Sequence, residues 1–124
     1  MYKMWNFRNV EAWKRAVELS KVIYDVTKGF PVEERYGLTS QIRRAIISVS
    51  SNVAEGCGRR TSRDFVSFMY NAIGSIKEVE SELFVAEKLG YIEIEDVEKL
   101  IGELEEIGRM LAGMIKKETE RGIK

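Results

Sequence analysis

Ser40–Arg63, SQIRRAIISVSSNVAEGCGRRTSR, is the stretch that decides the fold. Together with Leu38 just ahead of it, Ile42, Ala45, Ile46, Val49 and Val53 recur at steps that place them on one face of an α-helix. Gln41, Arg44, Ser48, Asn52 and Glu55 recur at similar steps on another side. Ser48, Ser50, Ser51 and Ala54 are small enough to admit a neighbouring helix. Gly56 and Gly58 then bracket Cys57, and Arg59, Arg60 and Arg63 crowd the turn that follows. A helix with an apolar stripe and a small, polar stripe is expected to touch protein on both.

Upstream, residues 1–8 are aromatic and irregular, and Tyr2, Trp5 and Phe7 are expected to lie across the end of a helix. Asn9 is a candidate N-cap and Glu11 suits the first turn of a helix over about 10–28. That helix carries two adjoining stripes. One is Ala12, Ala16, Leu19, Ile23 and Val26; the other is Trp13, Val17, Ser20 and Tyr24. Gly29 and Pro31 stop it.

Downstream, the spacing predicts helices over about 38–55, 63–89 and 94–117. Ser62 is the expected cap of the third. Phe65, Met69, Ala72, Ile76, Val79, Leu83 and Ala86 form its seam, alternating fours and threes as left-handed bundles do. Gly74 within that helix costs about 1 kcal/mol relative to alanine, which suggests a close contact there. Gly90 ends it, and Val97, Ile101, Leu104, Ile107, Leu111 and Met114 mark the fourth. Met69, Met110 and Met114 read as core filler. No alternation of period two appears. The expected fold is all-α, an antiparallel up-down-up-down four-helix bundle spanning residues 1–124 as one domain.

Composition bounds the function. Apolar residues at 44% and charged residues at 32% fit a folded globular chain rather than a disordered one. Lys and Arg balance Asp and Glu at 20 each, so bulk charge gives no argument for nucleic acid or membrane. The charge is nevertheless segregated. Residues 1–63 hold 12 Lys/Arg against 6 Asp/Glu, residues 64–106 hold 3 against 12, and residues 107–124 hold 5 against 2. Attraction between helices or between subunits would follow from this pattern, as would simple solvation of one acidic helix pair. No signal peptide and no membrane span are expected, and the expected location is the cytoplasm.

Enzyme chemistry is poorly supplied. With no histidine, the chain lacks di-iron Glu-x-x-His pairs and Ser–His or Cys–His nucleophile systems. Cys57 stands in a turn with no such base. Glu95 with Glu98, and Glu103 with Glu106, have the spacing of Mg²⁺-dependent nucleotide pyrophosphohydrolases, but both pairs fall off the apolar seam. The expectation is a non-enzymatic protein without metal or cofactor.

The runs FRNVEAWKRA, GFPVEERYGLTSQIRRAIISVSSNVAEG and FVSFMYNAIGSIKEVESEL, followed by LGYI, resemble the four-helix bundle proteins of the 23S ribosomal RNA intervening-sequence family. The second helix carries the most specific part of the likeness, in Ser40, Gln41, Arg43, Arg44, Ala45, Ser48, Asn52, Ala54, Glu55 and Gly56. The chain is also similar to the accessory variability proteins of diversity-generating retroelements, pentameric barrels that bind a reverse transcriptase and nucleic acid. The resemblance implies a homo-oligomer, a pentamer, in a family for which no enzymatic activity is established. RNA or a reverse-transcriptase-like protein is the partner it suggests; the alternative is a structural oligomer that binds another protein and has no nucleic-acid role.

Three sets of residues carry site expectations. Arg43, Arg59, Arg60 and Arg63 are candidates for phosphate contacts. Arg44 lies among apolar positions, where a charge needs a partner, and Glu55, Glu80 and Glu82 are the candidates for an ion-pair network with it. Trp13, Tyr24, Ser48 and Ser51 are candidates for a subunit interface, because one bundle needs one apolar stripe per helix and these are surplus.

Overall fold

The computed structural model describes residues 5–122. Four helices follow one another, α1 (Glu11–Thr27), α2 (Leu38–Cys57), α3 (Ser62–Lys88) and α4 (Ile94–Glu120), with single 3-10 turns at Phe7–Asn9 and Val32–Glu34. No strand occurs among the described residues. Each helix packs on the next, and α4 closes on α1, giving the antiparallel four-helix bundle that the periodicity predicts.

The apolar stripes meet along the axis. Ala16, Ile23, Ile42, Ile46, Val49, Phe65, Met69, Leu83, Leu104 and Leu111 are all buried. Four α4 positions differ from expectation: Leu100 and Ile115 are buried, while Ile101 and Met114 are only partly so. The α1–α4 contact is the thinnest of the four and is bridged by an ion pair from Arg15 to Glu106.

The helix ends follow local chemistry. Val10, not Asn9, precedes α1, and Asn6 caps the short turn before it. Thr61, not Ser62, caps α3, its hydroxyl accepting from the Asp64 N–H at 3.1 Å. At the C-terminus of α3, Gly90 adopts a left-handed φ of 82°. The Gly90 N–H donates to Glu87 O at 3.0 Å and the Tyr91 N–H to Ala86 O at 2.9 Å, which satisfies two carbonyls of the last turn. The expected N-terminal aromatic cover is present in the described part. The Trp5 N–H donates to Cys57 O at 3.3 Å, and the Trp5 ring stacks on Phe65 with centroids 5.8 Å apart. Tyr2 lies outside the described residues.

Two glycines reverse their expected roles. Gly74 is exposed, and a Cβ built there meets nothing within 4 Å, so no contact among the described residues requires it. Gly56 does the close packing instead. A Cβ there would stand 2.6 Å from Met69 Cε and 2.8 Å from Phe68 Cβ, so α3 crosses the end of α2 at a distance only glycine permits.

Candidate nucleic-acid interface

The turn between α2 and α3 is set by Gly56 on one side and the Thr61 cap on the other, which leaves Gly58–Arg60 as a tight exposed connection. Arg59 folds back onto the bundle. Its guanidinium bonds Glu55 at 3.2 Å and sits 4.4 Å above the Phe68 ring. Arg60 and Arg63 are exposed, and among the described residues neither has an ion pair or a hydrogen bond from its side chain. The last turns of α4 reach the same end of the bundle and add the exposed Lys116 and Lys117. Arg121 is held there by Glu118 at 2.8 Å.

Arg43 does not join this cluster. Its Nε donates to Thr27 Oγ1 at 2.8 Å and its Nη2 to Tyr24 O at 3.1 Å, while the guanidinium lies 4.5 Å above the Tyr24 ring. It is a strut between α1 and α2. Arg44 is corrected too. It points to solvent, Glu55 pairs with Arg59, and Glu80 pairs with Lys77 at 3.1 Å, so the expected Arg44 network does not form among the described residues. The neighbouring i,i+4 and i,i+3 cations reach these carboxylates without crossing between helices.

The four surplus interface candidates divide. Ser48 is used inside the chain: its Oγ lies 2.8 Å from Ser75 Oγ on α3, and Asn52 Nδ2 donates to it at 3.0 Å. Trp13 is half-buried with its ring edge-on to Phe7 at 5.0 Å. Tyr24 and Ser51 remain exposed.

Glu34 escapes sequence reasoning, and Glu82, expected as a partner for Arg44, takes a different role. Glu34 accepts from the Leu38 N–H at 3.0 Å and from the Tyr91 hydroxyl at 2.9 Å, tying the start of α2 to the α3–α4 corner. The two donors hold its carboxyl below the usual carboxylate range, and the same bond holds the Tyr91 phenol above its own. Glu82 is half-buried on α3, with one oxygen lacking a hydrogen bond among the described residues. Burial, reinforced by the charge of Glu78, pushes it up to about 7. Cys57 is buried and its thiol is pushed up to about 11 by desolvation, which makes it a poor nucleophile at neutral pH. Among the described residues no group of three or more His, Cys, Asp and Glu side chains could hold a metal ion. Of the two Glu-x-x-Glu pairs, Glu95, Glu98 and Glu103 are exposed and Glu106 is taken by Arg15. Among the same residues no helix is long and apolar enough to cross a membrane.

Fold and surface together define a four-helix bundle whose one concentration of exposed, unpaired arginines lies at the α2–α3 turn among the described residues. Residues 8–113 match the 23S rRNA-intervening sequence protein family, and the chain belongs to that family. The fold is also similar to the crystal structure of a protein of unknown function from the S23 ribosomal protein family of Bacteroides thetaiotaomicron VPI-5482. The two share 24% identity and a TM-score of 0.78, over 85% of this chain and 95% of that one. No significant match was found among curated proteins.

Proposed function

We propose that this protein is a non-enzymatic, cytoplasmic, homo-oligomeric bundle, a pentamer on the family likeness, that binds RNA phosphates through the α2–α3 turn. The observation that carries the reading is the pair of free guanidiniums of Arg60 and Arg63, at the end of the bundle that also presents Lys116 and Lys117. An unpaired arginine gives up no protein contact when it takes a phosphate, whereas Arg43 would have to abandon two hydrogen bonds. One such cluster is weak, and repetition in an oligomer multiplies it.

Anisotropy of a labelled single-stranded RNA, titrated from low to high salt, tests this. Each phosphate contact contributes about 0.7 to the log–log salt slope for a single strand, so Arg60→Ala with Arg63→Ala is expected to flatten the slope by about 1.4 per engaged subunit. The same loss is expected whatever the RNA sequence, since phosphate contacts carry no base information. Binding that ignores salt, or that survives the double substitution unchanged, refutes the proposal.

A further inference from the structure

Two helix ends meet at the end of the bundle away from the arginine turn. There the last turn of α1, the Val32–Glu34 turn and the first turn of α2 enclose a depression of about 230 Å³. It lies one length of α2 from Gly58–Arg60, about 30 Å for 20 residues at 1.5 Å each. Three of the side chains that line it, Lys28, Arg35 and Arg43, are cations, and none is a carboxylate.

The acids nearby are turned elsewhere. Glu34 accepts from the Leu38 N–H and the Tyr91 hydroxyl, and Asp25 accepts from Lys21 and Lys28 on the exposed side of α1. Arg35 is exposed, and among the described residues its side chain has neither an ion pair nor a hydrogen bond. Arg43 keeps its bonds to Thr27 and Tyr24 and adds fixed positive charge to the wall.

Thr39 points to a ligand. Ser20 and Thr27 return their hydroxyls to the carbonyl four residues back in their helix. Thr39 stands in the first turn of α2, where no helical carbonyl lies four residues back. It is only 8% exposed, yet among the described residues its hydroxyl has no hydrogen-bond partner and its oxygen is not sealed in the core. That oxygen opens onto the depression that Thr39 lines. A hydroxyl so nearly buried is costly to leave unpaired, and an acceptor seated in the depression satisfies it. The N–H groups of Thr39 and Ser40 also lack an acceptor among the described residues, and the α2 dipole favours negative charge at this end.

We propose that this depression binds the phosphate group of a small phosphorylated molecule. Cations and donors without a competing carboxylate suit a dianionic oxyanion. Phe30, Pro31 and Val32 supply an apolar wall for a short carbon stem. A volume of about 230 Å³ is below the ~300–1,000 Å³ of sites for larger ligands, which favours a body of a few carbons over a nucleotide. The site stands at the opposite end from the α2–α3 turn and does not depend on RNA binding there.

Calorimetric titration of the full chain with inorganic phosphate and with glycerol 3-phosphate tests this. One saturable site per chain is expected. Tighter binding of glycerol 3-phosphate identifies a monoester as the ligand, and equal binding identifies free phosphate. Arg35→Ala and Thr39→Val should each weaken binding by about tenfold, because each removes a bond to a charged group. Thr39→Ser, which keeps the hydroxyl, should bind nearly as the unaltered chain does. Should Thr39→Val lose helicity by circular dichroism, Arg35→Ala at its exposed position still decides. No saturable binding at millimolar phosphate or glycerol 3-phosphate overturns the proposal. So does binding that survives Arg35→Ala and Thr39→Val but is lost with Arg60→Ala and Arg63→Ala, which would place the anion at the turn instead.

Discussion

Replacing glycine by alanine at two sites in this bundle is expected to change stability with opposite signs. In an exposed helix interior the exchange gains about 1 kcal/mol, because alanine loses less backbone entropy on folding. Gly74 offers that gain without opposition, since its added Cβ meets nothing within 4 Å. Gly56 offers it against a clash. Met69 Cε, at 2.6 Å, ends a flexible side chain and can swing away, but Phe68 Cβ, at 2.8 Å, is fixed to the α3 backbone. Relieving that contact moves a helix, and overpacking of this kind costs about 1–3 kcal/mol. The propensity gain offsets part of it, leaving Gly56→Ala destabilised by up to about 2 kcal/mol. With an unfolding entropy of about 2.1 cal/mol/K per residue, each kcal/mol moves Tm by about 4 °C for a chain of this length. Gly74→Ala should therefore melt about 4 °C higher and Gly56→Ala several degrees lower. Thermal scans by circular dichroism read this directly, with all variants at one concentration so that association shifts them equally. A Gly56→Ala protein melting at or above the unaltered chain would refute the close α2–α3 crossing. A Gly74→Ala protein melting lower would reveal a contact at Gly74 that the lone chain lacks.

Three further outcomes follow from the carboxylates and the thiol. Glu82 has its folded pKa raised from 4.5 to about 7, so the folded state holds the proton more tightly than the unfolded one and stability falls as pH rises across that window. Glu82→Gln should match the unaltered chain below pH 4.5 and be the more stable above pH 7; equal urea midpoints at pH 8 would refute the desolvated carboxyl. Glu34 works in the other direction: its folded pKa is depressed, so its stabilisation is present above the ordinary carboxylate pKa and lost as pH falls through the folded value. Glu34→Gln should be the less stable at neutral pH and converge with the unaltered chain in acid, and a deficit that persists in acid would point to lost packing instead. Cys57, buried with a raised pKa, should react with a chromogenic disulfide at pH 8 only after denaturation; stoichiometric labelling of the folded protein within minutes would contradict its burial.

The bundle was readable because apolar periodicity records burial directly. Phe65, Met69, Ala72, Ile76, Val79, Leu83 and Ala86 are buried as their spacing requires. What the sequence hides is which of several equivalent local partners wins. Thr61 and Ser62 can both cap a helix, and only the backbone geometry chooses Thr61. An interior glycine such as Gly74 resembles a packing site, whereas Gly56, which resembles a stop signal, performs the packing. The end of α4 is harder still. The helix continues to Glu120, and Glu118 is 1% exposed with Arg121 on one oxygen, a buried acid that no apolar pattern announces. Glu34 had a faint signal in lying four residues before Leu38, with no Ser, Thr, Asp or Asn at the cap position Gly37 to serve the helix start. A Cβ on Gly37 would come within 2.8 Å of that Glu34 oxygen, so the glycine and the distant cap go together.

The arginines show how far charge counting reaches. Arg43 and Arg44 are adjacent, identical in chemistry, and about 100° apart around α2. That rotation aims Arg43 at Tyr24 and Thr27 across the α1–α2 contact and turns Arg44 to solvent. Membership of a basic run therefore says nothing about whether a guanidinium is available; the direction of the side chain from its helix does. At the α2–α3 turn the same criterion separates Arg59, one turn beyond Glu55 and lying over Phe68, from Arg60 and Arg63, which have no partner within reach among the described residues. Five arginines that look alike in the sequence thus divide into a strut (Arg43), a clamp (Arg59) and three cations without a partner among the described residues, Arg44 alone on the flank of α2 and Arg60 with Arg63 at the turn. If phosphates are the ligand, losing Arg60 and Arg63 should weaken binding while leaving the melting temperature unchanged, and losing Arg43 should lower the melting temperature by separating α1 from α2. An Arg43→Ala protein with normal stability and lost RNA binding would reverse that division, and with it the placement of the interface at the turn.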